Sequence, residues 1–337
     1  MKQRWFTLLG FGVSAVFLYV TLRKLNLPIM WQWVKQADYI WLLPAVAVYM
    51  VAVWGRTWRW HYMLHPIKEI SLRRLFPVVC IGYMGNNIFP FRAGEVLRSY
   101  VLKRSENVSM SASLATVVVE RVFDGLVMLM FVFFALPFAP IPADLRGYVV
   151  VPSLLFFLAL LVFVFLAMQP DRAQRLYHAT LHRLLPGRLQ TAADGFVGRF
   201  LEGLHFLRSG RGVLMVFLTS VFIWLAETTK YWMIMQAFVH LGNGFPVAFY
   251  VLMLMNGIVN LATTVPSAPG YVGTFDTPGI EVLHAYGVNY DLAAGYTLVL
   301  HVALWLPITA LGAWYFLRAG LSWSDVQTAR AERAGQG

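Results

Sequence analysis

Long apolar runs dominate the pattern of hydrophobic and polar positions along this chain. A helix needs about 20 residues to cross a hydrocarbon core about 30 Å thick. The runs predict full spans at roughly 5–22, 39–60, 111–136, 147–168, 212–238 and 291–317. The sequence lacks the alternation of apolar and polar residues that a membrane β-barrel would show. A helix can span the membrane instead, because it satisfies its own backbone hydrogen bonds. The predicted fold class is an all-α polytopic helical membrane protein.

Two further apolar segments, 75–90 and 245–266, are short or interrupted by Asn and Pro, and both lead into glycine-rich sequence. They predict re-entrant or broken helices. Span, broken helix and span thus occur twice, at 39–136 and 212–317, within one membrane domain, 1–337. The predicted topology makes the two triplets an inverted repeat, as in many transporters. The alternative is that two Pro-Gly loops resemble each other by chance.

The positive charge is distributed between the spans. The net charge is +11 and 59% of residues are hydrophobic, which favours anionic lipid headgroups over nucleic acid as the partner. Arginines and leucines alternate in 170–211, predicting amphipathic cytoplasmic helices, or otherwise a solvated linker. The charge pattern places both termini on the cytoplasmic side of the cell membrane, with an uncleaved first span.

Neither a cofactor nor a metal is expected. Cys80 is the sole cysteine, so no cysteine-based zinc or iron-sulfur site can form. The chain has no metalloprotease HExxH, no Walker loop and no GxSxG elbow. Direct ATP hydrolysis is therefore not predicted.

The stretch GNNIFPFRAGEVLR, 85–98, ends the first broken segment with polar residues. Asn87 can satisfy free backbone groups, Pro90 stops the helix, Gly94 permits a tight turn, and a second helix can begin near Glu95. The guanidinium groups of Arg92 and Arg98 suit a phosphate. This pattern predicts a site for an anionic headgroup, although Arg92, Glu95 and Arg98 could instead form an ion-pair ladder at the surface.

Charged residues also occur inside predicted spans, where they are costly and usually line a cavity or pair together. One group is Glu120, Arg121 and Asp124 in VERVFDG, in which Arg121 could simply pair with Asp124. The other is Glu227 and Lys230, which can pair on one helical face. We include both groups among the candidate substrate-binding residues.

The second break, VPSAPGYVGTFD at 265–276, contains four turn-forming residues and one carboxylate, Asp276. The turn-forming residues are Pro266, Pro269, Gly270 and Gly273. A plain extracellular turn is the alternative interpretation. His301 is more simply a satisfied core histidine than a proton carrier, and Arg56 and Arg59 are most simply positive-inside anchors.

Three ordered motifs, NNIFPFRAGEVLR, VERVFDG and PSAPGYVGTFD, resemble the flippase-like membrane domain of the lysylphosphatidylglycerol synthase family. The resemblance covers nearly the whole chain. It implies a translocase of the cytoplasmic membrane that moves a headgroup-modified lipid between leaflets. The chain ends about twenty residues after its last span, which leaves no room for the soluble aminoacyl-transferring domain of two-domain members. Synthesis of lysyl-phosphatidylglycerol is therefore not expected.

The leading hypothesis is lipid translocation without ATP, with the lipid phosphate held by arginines and the acyl chains in the bilayer. One alternative is a membrane-embedded enzyme acting on a lipid phosphate, with Glu95 or Glu120 as general base. The other is a membrane scaffold that docks a lipid-synthesis enzyme through 170–211.

Overall fold

The structure is a computed structural model that describes residues 2–89, 92–135, 169–180, 209–264 and 267–322, with isolated positions at 138, 154, 157–158, 190, 194–195, 197–198 and 325. Pro90 and Pro266 lie outside the described residues, as do nearly all of the predicted span 147–168 and most of 170–211. The described helices are α1 Lys2–Lys24, α2 Leu27–Gln36, α3 Leu42–Leu64, α4 Leu72–Ile88, α5 Ala93–Glu106, α6 Met110–Ala135, α7 Pro170–Ala179, α8 Gly210–Gln236, α9 Phe249–Ala262, α10 Asp276–Ala285 and α11 Tyr290–Arg318.

Within the described residues, three helical segments are long and apolar enough to cross a membrane: Tyr39–Leu64, Gly210–Gln236 and Tyr290–Arg318. They agree with three of the predicted spans. The helix α6 also has the expected length, but it carries Glu120, Arg121 and Asp124 near its middle, and it is not among these apolar helices. The polytopic helical class is thus supported, whereas the number of six full spans stays a prediction.

The first predicted span has a different form from the one expected. The helix α1 bends by 88° into α2, and Gly10–Lys24 together with Leu27–Gln36 is long and apolar enough for one broken span. Asn26 begins α2 because its side chain accepts a hydrogen bond from the backbone N–H of Ile29. With only ten residues, α2 is too short to register as a span in the sequence pattern.

Both broken segments are helical hairpins. In the first, α4 ends at Ile88 and α5 starts at Ala93, close to the predicted restart. A Cβ atom at Gly94 would lie only 1.9 Å from the carbonyl oxygen of Gly82, so the backbones of α4 and α5 touch where only glycine fits. In the second, α9 ends at Ala262 and a 3₁₀ turn, Pro269–Tyr271, leads into α10.

The two triplets pack crosswise. The first consists of α3, the hairpin α4–α5 and α6, and the second of α8, the hairpin α9–α10 and α11. The helix α3 packs on α8, α4 packs on α11, and α9 packs on α6. Each of these helices therefore contacts the partner that a two-fold exchange of the triplets would give it.

Candidate functional site

A polar cavity of about 140 Å³ lies between the two helix breaks. Both triplets contribute to its walls, together with aromatic rings that surround the charged groups. Its lining includes Tyr49, Arg56, Tyr83, Asn86, Asn87, Arg92, Arg121, Trp224, Glu227, Tyr231, Asn260, Thr263, Gly270, Tyr271, His301 and Trp305. The sequence motifs that are far apart in the chain therefore meet at one cavity.

Arg92 joins the two breaks. It immediately precedes α5 with a left-handed backbone, φ 50°, a conformation that costs a non-glycine residue about 1–2 kcal/mol. Its Nη2 donates to the carbonyl oxygen of Thr263 at 3.3 Å, just after the end of α9. Its guanidinium also lies 5.8 Å from the ring centre of Tyr271 and 3.8 Å from Glu95. A strained, partly exposed arginine at this position is typical of a binding site.

Arg121 is the second cation of the cavity that the sequence predicted. Its Nε lies 3.0 Å from Oε1 of Glu95, and its Nη1 lies 3.6 Å from Oδ2 of Asp124. Its side chain keeps 35% of its surface exposed, so the guanidinium is held in place but remains accessible. The predicted Arg121–Asp124 pair is present. Glu95 contributes to the cavity indirectly, through ion pairs with two of the arginines that line it.

Arg56 is the third cation, and its interpretation as a positive-inside anchor is wrong. It is buried within α3, where its Nη1 lies 2.7 Å from Oε1 of Glu227. The predicted pair of Glu227 with Lys230 is present on α8. Lys230 is buried behind the lining, 4.5 Å from the ring centre of Tyr49. The guanidinium carbon of Arg56 also lies 5.5 Å from the ring centre of Tyr83 and 5.5 Å from a ring centre of Trp224.

Two other predicted charge groups form buried pairs away from the lining. Arg98 lies 2.6 Å from Glu120, and its guanidinium is 4.2 Å from the ring centre of Trp60. Arg59, also expected as an anchor, donates to both carboxylate oxygens of Asp124 at 2.6 and 3.3 Å.

The structure therefore does not bring Arg98, Glu120 or Asp124 into contact with the cavity. The Arg92–Glu95 step of the predicted ladder is present at 3.8 Å, whereas Arg98 pairs with Glu120 on α6 instead, because α5 and α6 pack against each other.

The second break is fixed by Asp276 and His301. Oδ2 of Asp276 accepts the backbone N–H of Gly273 at 2.9 Å, and its Oδ1 lies 2.7 Å from Nδ1 of His301. The other ring nitrogen of His301 lies 2.8 Å from the carbonyl oxygen of Gly270. Gly270 and Gly273 have φ values of 71° and 85°, which explains glycine at both positions. His301 is satisfied, as expected, yet it also lines the cavity.

Asn87 acts between helices rather than on its own break. Its Nδ2 donates to Oγ1 of Thr309 at 2.8 Å on α11. Its carbonyl oxygen accepts Nε1 of Trp305 at 3.4 Å. The sequence did not identify Trp305 and Tyr83, because aromatic residues in apolar runs carry no distinguishing pattern, and it did not single out Tyr271 among the turn-forming residues of the second break. Arg56 could have been found from its position within an apolar run.

The charges around the cavity do not balance. In the part of the chain that the structure describes, six cations and four carboxylates form three groups of ion pairs: Arg56 and Lys230 with Glu227; Arg59, Arg92 and Arg121 with Glu95 and Asp124; and Arg98 with Glu120. Six minus four leaves two positive charges in excess. Asp276 and His301 form a separate pair. Among the described residues, no group of three His, Cys, Asp or Glu side chains could hold a metal ion.

Comparisons with known proteins identify one family and several relatives. The sequence model of one family, described as Lysylphosphatidylglycerol synthase TM region, matches residues 7–312. A UPF0104 membrane protein of Methanothermobacter thermautotrophicus is 26% identical over 82% of this chain and 85% of its own length. A UPF0104 membrane protein of Pyrococcus horikoshii is 23% identical over 93% and 96%. A Haloferax volcanii protein named Glycosyltransferase AglD is 25% identical over 80% of this chain but only 47% of its own length.

Proposed function

Because the chain belongs to the family of the lysylphosphatidylglycerol synthase transmembrane region, we propose that it translocates a lipid with an anionic, phosphate-bearing headgroup between membrane leaflets. In this proposal the protein resides in the cytoplasmic membrane with both termini on the cytoplasmic side. The substrate headgroup enters the polar cavity, and its chains remain in apolar surroundings.

The observation that carries the proposal is the excess of two positive charges around a cavity lined by three arginines. A phosphodiester carries one negative charge, and a phosphomonoester carries about 1.5 to 2 at pH 7. Either headgroup would reduce the excess charge. Guanidinium groups suit phosphate oxygens because their planar donors allow bidentate hydrogen bonds. The free cavity therefore favours an anion over a zwitterionic or neutral headgroup.

The crosswise packing suggests how the cavity changes access. Arg92 belongs to the first triplet, whereas its acceptor, the carbonyl of Thr263, belongs to the second. A headgroup bound by Arg92 and Arg121 would replace this one hydrogen bond among the contacts between the triplets. Rocking of one triplet against the other would then expose the cavity to each leaflet in turn, as in transporters with inverted repeats.

An enzymatic function has less support from the geometry. Glu120 is 1% exposed, pairs with Arg98 and does not line the cavity. Glu95 lies 3.8 Å from Arg92 and 3.0 Å from Arg121, so ion pairs already engage the carboxylate that would have to act as general base. The relative named as a glycosyltransferase is more than twice as long as the matched region. Docking of a lipid-synthesis enzyme through 170–211 remains a separate prediction.

Leaflet exchange of labelled lipids in proteoliposomes tests the proposal. The panel contains phosphatidylglycerol, phosphatidic acid, a polyprenyl phosphate and phosphatidylcholine. We expect exchange of at least one anionic lipid and little exchange of phosphatidylcholine. The variant Arg92→Gln should slow exchange about tenfold to a hundredfold, because it removes one charged hydrogen-bond donor, and Arg73→Gln on the exposed surface should not. Equal movement of anionic and zwitterionic lipids, unaffected by Arg92→Gln, would contradict the proposal.

A further inference from the structure

A second cavity, of about 390 Å³, lies beside the polar cavity. Its walls come from α1, α2, α10 and α11, and most of the side chains are aliphatic. They include Leu18, Leu22, Met30, Ile280, Leu298 and Val302. Pockets of about 300–1,000 Å³ are the usual size for small-molecule sites. This volume and lining fit a hydrocarbon ligand.

The few polar groups in the second cavity are already satisfied within the protein. The hydroxyl groups of Thr21 and Thr277 are 2.7 Å apart, and Thr297 donates to the carbonyl oxygen of Ala293 at 2.8 Å. Asp276 and His301 bind each other and the backbone of the second break. The cavity therefore offers a ligand van der Waals contact, and the described residues that line it present no unused hydrogen-bond donor.

The two cavities share a wall. His301 and Trp305, one turn apart on α11, line both of them. Three arginines lie on one side of this wall, and aliphatic side chains lie on the other. A ligand that occupied both cavities would have an anionic end and a hydrocarbon end, separated by an imidazole and an indole.

We infer that the second cavity binds one hydrocarbon chain of the same lipid whose phosphate occupies the polar cavity. The inference rests on the proposed function and extends it to chain recognition. Hydrocarbon gains little by moving from bilayer to protein, since lipid tails are as apolar as leucine. The second cavity instead selects a hydrocarbon chain through its attachment to the headgroup. A headgroup bound in the polar cavity raises the local concentration of its own chain beside His301 and Trp305.

Photo-crosslinking in proteoliposomes tests this inference. The probes are phosphatidylglycerol with a diazirine in the middle of one acyl chain, a polyprenyl phosphate with a photoreactive chain, and the matching phosphatidylcholine. Peptide mapping by mass spectrometry locates the label. We expect one anionic probe to label the α1 and α11 walls, at residues such as Leu22 and Val302, about tenfold more than the phosphatidylcholine probe does. The probe that labels distinguishes an acyl chain from a prenyl chain.

A matched pair of variants provides the control. Leu298→Trp/Val302→Trp fills the cavity from exposed positions of α11, and it should remove the excess label. Leu306→Trp adds the same ring one turn further along α11, where the side chain is 54% exposed and lines neither cavity, and it should leave the label unchanged.

Labelling that does not exceed the phosphatidylcholine background, or that persists in the filled variant, would overturn the inference even if leaflet exchange proceeds. Excess labelling without leaflet exchange would instead support the chain site and count against translocation.

Discussion

Simultaneous replacement of Arg92 and Arg121 by glutamine is expected to lower the rate of anionic lipid exchange by about 10²–10⁴-fold. Each guanidinium supplies charged hydrogen bonds worth about 1.5–3 kcal/mol, and about 1.4 kcal/mol corresponds to a factor of ten. The double variant also leaves four cations and four carboxylates in the three groups of ion pairs, so the net excess of positive charge disappears. Leaflet exchange of the lipid that the unmodified protein moves measures the effect.

The matched control is Arg73→Gln/Arg74→Gln. It removes the same two charges from the chain, but from exposed positions on α4 that do not line the cavity. We expect its exchange rate to remain within about twofold of the unmodified protein, because exposed ion pairs contribute about 0–1 kcal/mol. Equal loss of exchange in both double variants would show that overall surface charge, rather than the cavity, governs lipid movement.

Replacement of Glu120 by glutamine is expected to reduce the free energy of unfolding by about 3–5 kcal/mol. Arg98 is 4% exposed and lies 2.6 Å from this carboxylate. Removal of the negative charge would leave a buried guanidinium without its counter-ion. Reversible unfolding in mixed micelles measures the loss.

The double variant Arg98→Met/Glu120→Leu separates a structural role from a transport role. Replacement of both partners of a buried ion pair by apolar residues is often neutral or stabilising. We therefore expect this variant to regain stability and to exchange lipid at nearly the original rate. A stable double variant that fails to move lipid would restore Arg98 or Glu120 as a substrate-binding residue, as the sequence predicted.

The sequence revealed the two helix breaks because proline, glycine and asparagine mark them locally. The restart predicted near Glu95 lies within two residues of the observed start of α5 at Ala93. The bend between α1 and α2 was not predictable from apolar runs, since α2 is shorter than a span. The packing of Gly94 against Gly82 also requires knowledge of which helices meet.

The charged partners were less predictable than the charged positions. Spacing by three favoured local pairs among Arg92, Glu95 and Arg98. In the structure the local pair of Arg92 with Glu95 is present, but Glu95 also pairs with Arg121 on α6, and Arg98 pairs with Glu120. A pairing between helices depends on their rotation and contact, which a single sequence does not specify. Local spacing did identify Glu227 and Lys230, because that pair lies on one helical face.

The central claim is that positive charge at position 92 binds an anionic headgroup, and chemical restoration of that charge tests it most directly. Cys80 is buried and is the only natural cysteine, so Arg92→Cys in a Cys80→Ala background presents one reactive thiol. Three methanethiosulfonate reagents would attach an ammonium, a sulfonate or a methyl group, with modification verified by mass. We predict that anionic lipid exchange slows about tenfold to a hundredfold in the cysteine variant and recovers only with the ammonium group. Equal recovery with all three groups, or no recovery with the ammonium group, would contradict the claim.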